Sequence, residues 1–333
     1  MCDCLVALGP ATASGRTIWA KNSDRPPHEA QVLEQHRPRR DEGPLRTTWI
    51  EVDPSRSETI GLVGSRPWWC WGFEHGVNEA GVAAGNETIY TTLDPRTAEP
   101  ALVGMDLVRL ALERGDSARA AVAVIVELLE RYGQGGSGHH GVERPYWSSF
   151  LVADAGAAFV VETSGRTWAV EEVGRSRAIS NRTTIPAFDA EHRHPRQPVA
   201  TLVDPRWAAS KAVLAAEPVT VEAVQAHLRS HDQSDDGWSV CMHVGDVEAT
   251  TASVVVELGG DRPLARWLLG SPCRSVYVPV FVGRELGTPP SWDRFAAGVD
   301  PDLEASLARD VRDDDTWGPE AWQRVEAALG SRA

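Results

Sequence analysis

Cys2-Asp3-Cys4-Leu5-Val6-Ala7-Leu8, returning after the turn-rich Gly9 to Arg16 as Thr17-Ile18-Trp19-Ala20-Lys21-Asn22-Ser23-Asp24, reads as a strand, a turn and a second strand. A tight antiparallel return brings Lys21 to Asp24 close to the chain terminus. Removal of Met1 leaves Cys2 with a free α-amino group. One residue then holds both a thiol nucleophile and a base that ordinarily titrates at about pH 7.7–8.0. Pairing a hydroxyl or thiol with its own terminal amine is one established way to activate a nucleophile. An ammonium at Lys21 is expected to lower the thiol pKa, and a carboxylate at Asp24 to orient the amine. The plain alternative is an incidental cysteine beside a solvated turn.

The 333 residues, 42% of them hydrophobic, suffice for one large core or two small ones. No apolar run is long enough to span a membrane, and the N-terminus lacks a signal-peptide pattern. Five cysteines, odd in number and without zinc-ligand spacing, suit a reducing cytoplasm. A net charge of −14 argues against a nucleic-acid partner. The basic residues are almost all arginine; the lysines are Lys21 and Lys211.

Periodicity predicts strands at 4–8, 17–20, 46–51, 59–64 and 80–85, with a long surface loop between Asp24 and about residue 45. Helices are predicted at 103–114 and 117–131, the second capped by Asp116. Strands at 149–154, 157–162 and 167–172, helices at 204–216 and 219–230, and strands at 251–258, 265–269 and 276–281 follow. The acidic tail from Asp300 reads as two short surface helices. Helices grouped in pairs between runs of strands disfavour alternating βα folds and favour two antiparallel sheets covered by helices.

Several motifs are decoys. Gly133-Gln134-Gly135-Gly136-Ser137-Gly138 follows a helix instead of a strand, the wrong context for a dinucleotide fingerprint, and reads as a loop or lid. His227 and His231 lack the zincin glutamate, and the Asp232 to Gly237 run has His243 where a calcium loop needs glutamate. His139-His140 and His192-Arg193-His194 read as solvent-facing. No metal-ligand set emerges, and neither metal nor cofactor is expected. Trp68, Trp69 and Trp71 either pack or line an apolar substrate pocket.

The opening Cys2-Asp3 strand with Gly9-Pro10-Ala11-Thr12, then Lys21-Asn22-Ser23-Asp24-Arg25, resembles the secernin and C69 dipeptidase family of N-terminal nucleophile (Ntn) hydrolases. The likeness continues in Ser65-Arg66-Pro67-Trp68, Trp71-Gly72 through Asn78-Glu79 to Val82, Gly85-Asn86-Glu87, Gly104-Met105-Asp106-Leu107-Val108-Arg109 and Leu112 to Gly115. Tyr132 to Gly136, Trp168-Ala169, Thr250-Thr251-Ala252-Ser253 and Arg274 to Pro279 extend it over roughly residues 2–282. The resemblance implies an α+β fold, a four-layer αββα sandwich of two antiparallel sheets covered by helices. That domain would occupy residues 2–299, with an acidic helical tail at 300–333 packed on or beside it.

It also implies amide hydrolysis through a Cys2 thioester, with the Cys2 α-amine as general base. Asp24 corresponds to the acid holding that amine, and Lys21 falls where cholylglycine-hydrolase relatives place an arginine. Asn86 matches an oxyanion-hole asparagine, whose loss costs about 10²–10³ in turnover. Asn181 matches a second asparagine near the substrate amine, and Arg274 is the candidate for a late active-site arginine. Trp68, Trp69 and Arg274 are thus the candidate substrate contacts. Cys4 departs from a common threonine and is either a small core residue or a second thiol. Because only Met1 precedes Cys2, maturation is expected to need methionine removal and no self-cleavage.

The resulting expectation is a cytoplasmic cysteine amidohydrolase acting on a small peptide or N-acyl amide, with no nucleic-acid or membrane partner and room for a homo-oligomer. A non-peptide acylase or acyltransferase, or a non-hydrolytic secernin-like regulatory protein, are the alternatives.

Overall fold

The computed structural model describes residues 1–290 and 300–330; the segments 291–299 and 331–333, which the expected domain and tail include, lie outside the described residues. The chain opens with β1 (Cys2–Ala7), β2 (Thr17–Arg25) and β3 (Gln31–His36), then a short hairpin of β4 (Leu45–Arg46) and β5 (Glu51–Val52). β6 (Leu62–Pro67), β7 (His75–Asn78) and β8 (Ala83–Ile89) lead into α1 (Gly104–Arg114) and α2 (Ala118–Tyr132). β9 (Trp147–Ala153), β10 (Ala158–Ser164), β11 (Thr167–Glu172) and β12 (Ser176–Ser180) follow. Next come α3 (Pro186–His192), α4 (Val199–Leu202), α5 (Asp204–Ala215) and α6 (Val221–Leu228). β13 (His243–Val244), β14 (Glu248–Leu258), β15 (Leu264–Leu269) and β16 (Val278–Phe281) complete the sheets before α7 (Pro301–Asp310) and α8 (Trp317–Gly330).

Two antiparallel sheets form four layers with the helices. One runs β12-β1-β2-β14-β15-β16, with β13 on β14; the other runs β11-β10-β9-β8-β7-β6-β3. Alternation along β1 shows how the layers are built. Cys4 and Val6 join the core between the sheets, whereas Leu5 and Ala7 join the cluster against α5 and α6. On the other sheet, Ala84, Phe150 and Val161 pack with α1 and α2. Both faces of β1 and β2 are therefore covered, and every residue of both strands is buried.

Four sequence expectations change. The strand predicted at 46–51 is instead the turn of the β4–β5 hairpin, with Arg46 paired opposite Glu51. The predicted surface loop after Asp24 contains β3, an edge strand on β6 whose Glu34 and Gln35 dilute its apolar alternation. The α2 N-cap is Ser117, not Asp116: Ser117 Oγ accepts from the Ala120 amide at 3.3 Å. The tail helices are not merely superficial, since Leu307, Trp317, Ala321, Trp322 and Val325 extend the core between the sheets. Among the described residues, no helix is long and apolar enough to cross a membrane.

Candidate active site

β2 buries Lys21, Asn22, Ser23 and Asp24 in succession in a sheet interior. Burying polar groups is costly unless each finds a partner, so their partners define the site. Register places Cys2 opposite Ser23 and Cys4 opposite Lys21. Lys21 and Ser23 therefore share the inner face with Cys2 and Cys4. Lys21 Nζ donates to Ser23 Oγ at 2.7 Å and pairs with Glu74 Oε2 at 3.4 Å. Glu74 also takes a hydrogen bond from Arg25, and Ser23 Oγ meets His75 Nδ1 at 2.9 Å. Gly85 makes room for this arrangement: a Cβ there would stand 2.7 Å from Lys21 Cδ and 3.0 Å from the Trp19 ring.

The backbone of Cys2 is held from several sides. Its nitrogen donates to Asn181 Oδ1 at 2.9 Å, and Asn181 Nδ2 donates to the Thr88 carbonyl at 3.0 Å. Arg206, buried on α5, donates to the Cys2 carbonyl at 3.3 Å, to Asn181 Oδ1 at 3.0 Å and to Asp3 Oδ2 at 2.5 Å. The Met1 ammonium donates to Glu248 Oε1 at 2.5 Å and to the Asp24 carbonyl at 3.2 Å. Thr250 Oγ1 donates to Asp24 Oδ1 at 2.6 Å, while Asp24 Oδ2 is buried without a hydrogen-bond partner among the described residues.

The electrostatics differ from the simple expectation for a thiol beside a lysine. Burial pushes the Cys2 thiol up to about 12, outweighing the nearby Lys21 ammonium, which pulls it down. Burial works against the charge on Lys21, yet Cys2, Glu74, Cys4 and Glu87 together hold its pKa above the ordinary value. Burial also raises Asp24 to about 7, against the pull of the Met1 ammonium and Arg206. With Met1 attached, the Cys2 nitrogen is an amide and no base.

Asn86 does not join this group. Along β8, Gly85 faces Lys21 and Glu87 faces Cys4, while Ala84 packs in the α1 and α2 layer. Asn86 alternates with them, and its Nδ2 lies 2.6 Å from where a Gly104 Cβ would stand on α1. Its side chain is thus on the opposite side of the sheet from Cys2, which removes the geometric basis for the expected oxyanion contact. Arg274 is exposed on the short 3-10 helix Pro272–Arg274, outside the network around Cys2.

Trp68 and Trp69 lie against His140, at ring separations of 4.6 and 6.2 Å. Trp69 Nε1 also donates to Glu29 Oε2 at 2.9 Å. The expected solvent-facing position of His139 is incorrect: it is buried, 3.5 Å from Glu29 Oε1 and edge-on to Tyr146. Tyr146 is near enough for the charges of Glu74, Arg25 and Cys2 to act on its phenol. The glycine-rich loop thereby connects the tryptophans to the Cys2 end of the sheet. A cavity of about 360 Å³ lined by Tyr90, Thr91, Arg144 and His194, among others, adjoins the end of β8. Arg144 there lies within electrostatic reach of Glu248.

Glu74 and Thr250 lie inside motifs of the resemblance but were given no role there, and Arg206 and Glu248 were not identified from sequence. For Arg206 the available signal was Asp3, a carboxylate inside an apolar strand and therefore in need of a buried cation. A donor set for metal also went unseen: His231, Cys241, His243 and Cys273 each bring a ligand atom within 4.8 Å of the others. They come from separated segments, so local spacing concealed them.

No protein-family model matches the chain. By structure it is similar to a variant of conjugated bile acid hydrolase from Clostridium perfringens, with a TM-score of 0.53, 11% identity, and coverage of 84% of this chain and 92% of that one. A second variant of that hydrolase gives a TM-score of 0.51 at 12% identity, again covering 84% and 92%. The chain has the Ntn-hydrolase fold. Within the Ntn-hydrolase fold of this chain, Cys2 occupies the first position of an interior strand, flanked by β2 and β12.

Proposed function

We propose that this protein is a cysteine amidohydrolase that cleaves a small peptide through a Cys2 thioester once Met1 has been removed. The observation that carries the proposal is the anchoring of the Cys2 nitrogen by Asn181, with Lys21 beneath the thiol on the same sheet face. Excision of Met1 turns that anchored amide nitrogen into an amine. The amine takes the thiol proton, and the thiolate attacks the substrate carbonyl. The Lys21 ammonium favours the thiolate electrostatically, and the free Oδ2 of Asp24 is available to hold the resulting α-ammonium. Collapse of the tetrahedral intermediate returns the proton to the departing amine and leaves a thioester. Water, activated by the same α-amine, then releases the acid and restores the thiol.

The resemblance to the C69 dipeptidases supports a substrate with a free amino terminus, and one contact favours it over an N-acyl amide. The seat occupied by the Met1 ammonium consists of Glu248 Oε1 and the Asp24 carbonyl. Removing Met1 leaves this acidic seat beside the nucleophile, where a dipeptide ammonium can replace the one lost. The Trp68 and Trp69 rim supplies apolar surface for a side chain. Free thiols at all five cysteines fit a reducing cytoplasm.

Intact-mass analysis combined with hydrolysis of paired free and N-acetylated dipeptides tests the reading. Protein beginning at Cys2 should cleave the free dipeptides, Cys2→Ala should be inactive, and Glu248→Gln should raise KM for free dipeptides selectively. Unchanged hydrolysis by Cys2→Ala, or by chains that all retain Met1, would falsify the mechanism. Preference for the acetylated series would instead favour the acylase alternative.

A further inference from the structure

We infer that His231, Cys241, His243 and Cys273 form a binding site for a divalent transition metal, with zinc the best match, and that the metal fastens the loop behind the active site. His243 Nε2 lies 3.5 Å from Cys241 Sγ and 3.1 Å from Cys273 Sγ. The His231 ring stands edge-on to His243 at a centroid distance of 5.1 Å. One donor atom from each of the four residues falls within 4.8 Å of the rest. A tetrahedral zinc with bond lengths of about 2.0–2.3 Å requires sulfur-to-nitrogen separations of about 3.6 Å and sulfur-to-sulfur separations of about 3.8 Å. The cluster therefore needs only small adjustments of side chains to surround one ion.

Donor chemistry narrows the choice. Two thiolates and two imidazoles match zinc, whereas magnesium and calcium favour oxygen ligands. Both thiols are free of disulfides. Binding replaces each thiol proton by the metal and releases that proton to solvent. Two thiolates also balance the dication, so a half-enclosed site acquires no net charge. The exposed His231 provides the solvent side through which an ion can enter.

A set of four protein ligands leaves no open coordination position, which is the pattern of structural sites and not of catalytic ones. Its position explains what it would stabilise. Loop residues 230–243 turn through Gly237, at φ 91°, and close on the bond from the His243 amide to the Gly237 carbonyl. Asn22 Nδ2 donates to the Val240 carbonyl at 2.8 Å, and the Met242 amide donates to Thr250 Oγ1 at 2.9 Å. Thr250 is the residue that donates to Asp24. Cys241 is therefore flanked by two residues bonded to the active-site strands, while Cys273 ties the same loop to the turn after β15.

The test uses the full-length chain stripped of metal by chelator and titrated with zinc against a chromogenic competitor, then with cobalt. About one equivalent should bind, and cobalt should give the thiolate charge-transfer and tetrahedral d–d absorption of a sulfur–nitrogen site. Cys273→Ser and the exposed-site variant His231→Ala should each weaken zinc binding roughly 100-fold or more, whereas Cys70→Ser should not. His231→Ala is included because a surface change leaves folding intact. Failure of the wild-type chain to bind a stoichiometric ion, or undiminished binding by both variants, overturns the site. So does recovery of Cys241 and Cys273 as a disulfide from zinc-treated protein. These readouts do not depend on amide hydrolysis, so the site can fail or stand separately from the proposed activity.

Discussion

A thiol pushed up to about 12 is almost entirely protonated at neutral pH and needs an adjacent base to become a nucleophile. On the proposed mechanism that base is absent until the Cys2 nitrogen is released from its amide. In the same proposal Lys21 contributes charge and not proton transfer, because its pKa is raised further from neutrality. Lys21→Met should therefore lower turnover by about 10²-fold while leaving Met1 excision unchanged, as measured by steady-state kinetics on mass-verified protein. The same substitution leaves Glu74 with Arg25 as its remaining cation, and some loss of stability is expected. Cys2, Lys21, Asp24 and Asn181 were legible in the sequence, and the structure gathers them at one sheet end. Asn86 was legible as a motif but not as an orientation, because a one-residue shift in a strand exchanges the two faces. Arg206 and Glu248 were invisible because chain folding, not spacing, brings them to residues 1–3.

At the scale of elements, Gly85 and the start of α1 carry separate consequences. Gly85→Ala would press a methyl group against Lys21 and Trp19 across the gap between the sheets. It should destabilise the protein by about 1–3 kcal/mol and reduce turnover as well, which denaturant melts and kinetics can separate. Asp106, in the first turn of α1, accepts from Thr48 Oγ1 at 2.6 Å and from the Val103 amide at 3.3 Å. Burial nevertheless pushes it up to about 7. A carboxyl raised on folding favours the native state below its unfolded pKa and loses that contribution as pH rises through the folded value. Relative to Asp106→Asn, the wild-type protein should lose stability between about pH 4 and pH 7 and change little above, in urea melts across that range. The long helices and hydrophobic strands were legible from periodicity. β3, β7 and β12 were not, since they are short or interrupted by polar residues whose partners lie in other strands.

Across the whole molecule, the core between the sheets is closed partly by residues far along the chain. Trp317 Nε1 donates to the Pro279 carbonyl at 3.0 Å, and Trp322 is fully buried beside it in the same cluster. Trp322→Ala should cost about 3–5 kcal/mol by thermal or chemical melts, although its position is remote from Cys2. The tail composition, acidic and sparsely apolar, gave this little weight in sequence, since a few large side chains do the packing. The place of β1 within its sheet has a consequence in time. Its two neighbours are β2 and β12, and Asp3 pairs with Ser180. At about 5–20 residues per second, a ribosome needs roughly 10–40 s to reach that partner. During that interval the terminus lacks one wall of its enclosure. Afterwards the Met1 nitrogen is clasped by Glu248 and the Asp24 carbonyl. On the proposed mechanism, a molecule that folds with Met1 in place keeps its base sealed inside an amide, so excision is expected while the chain is still being made.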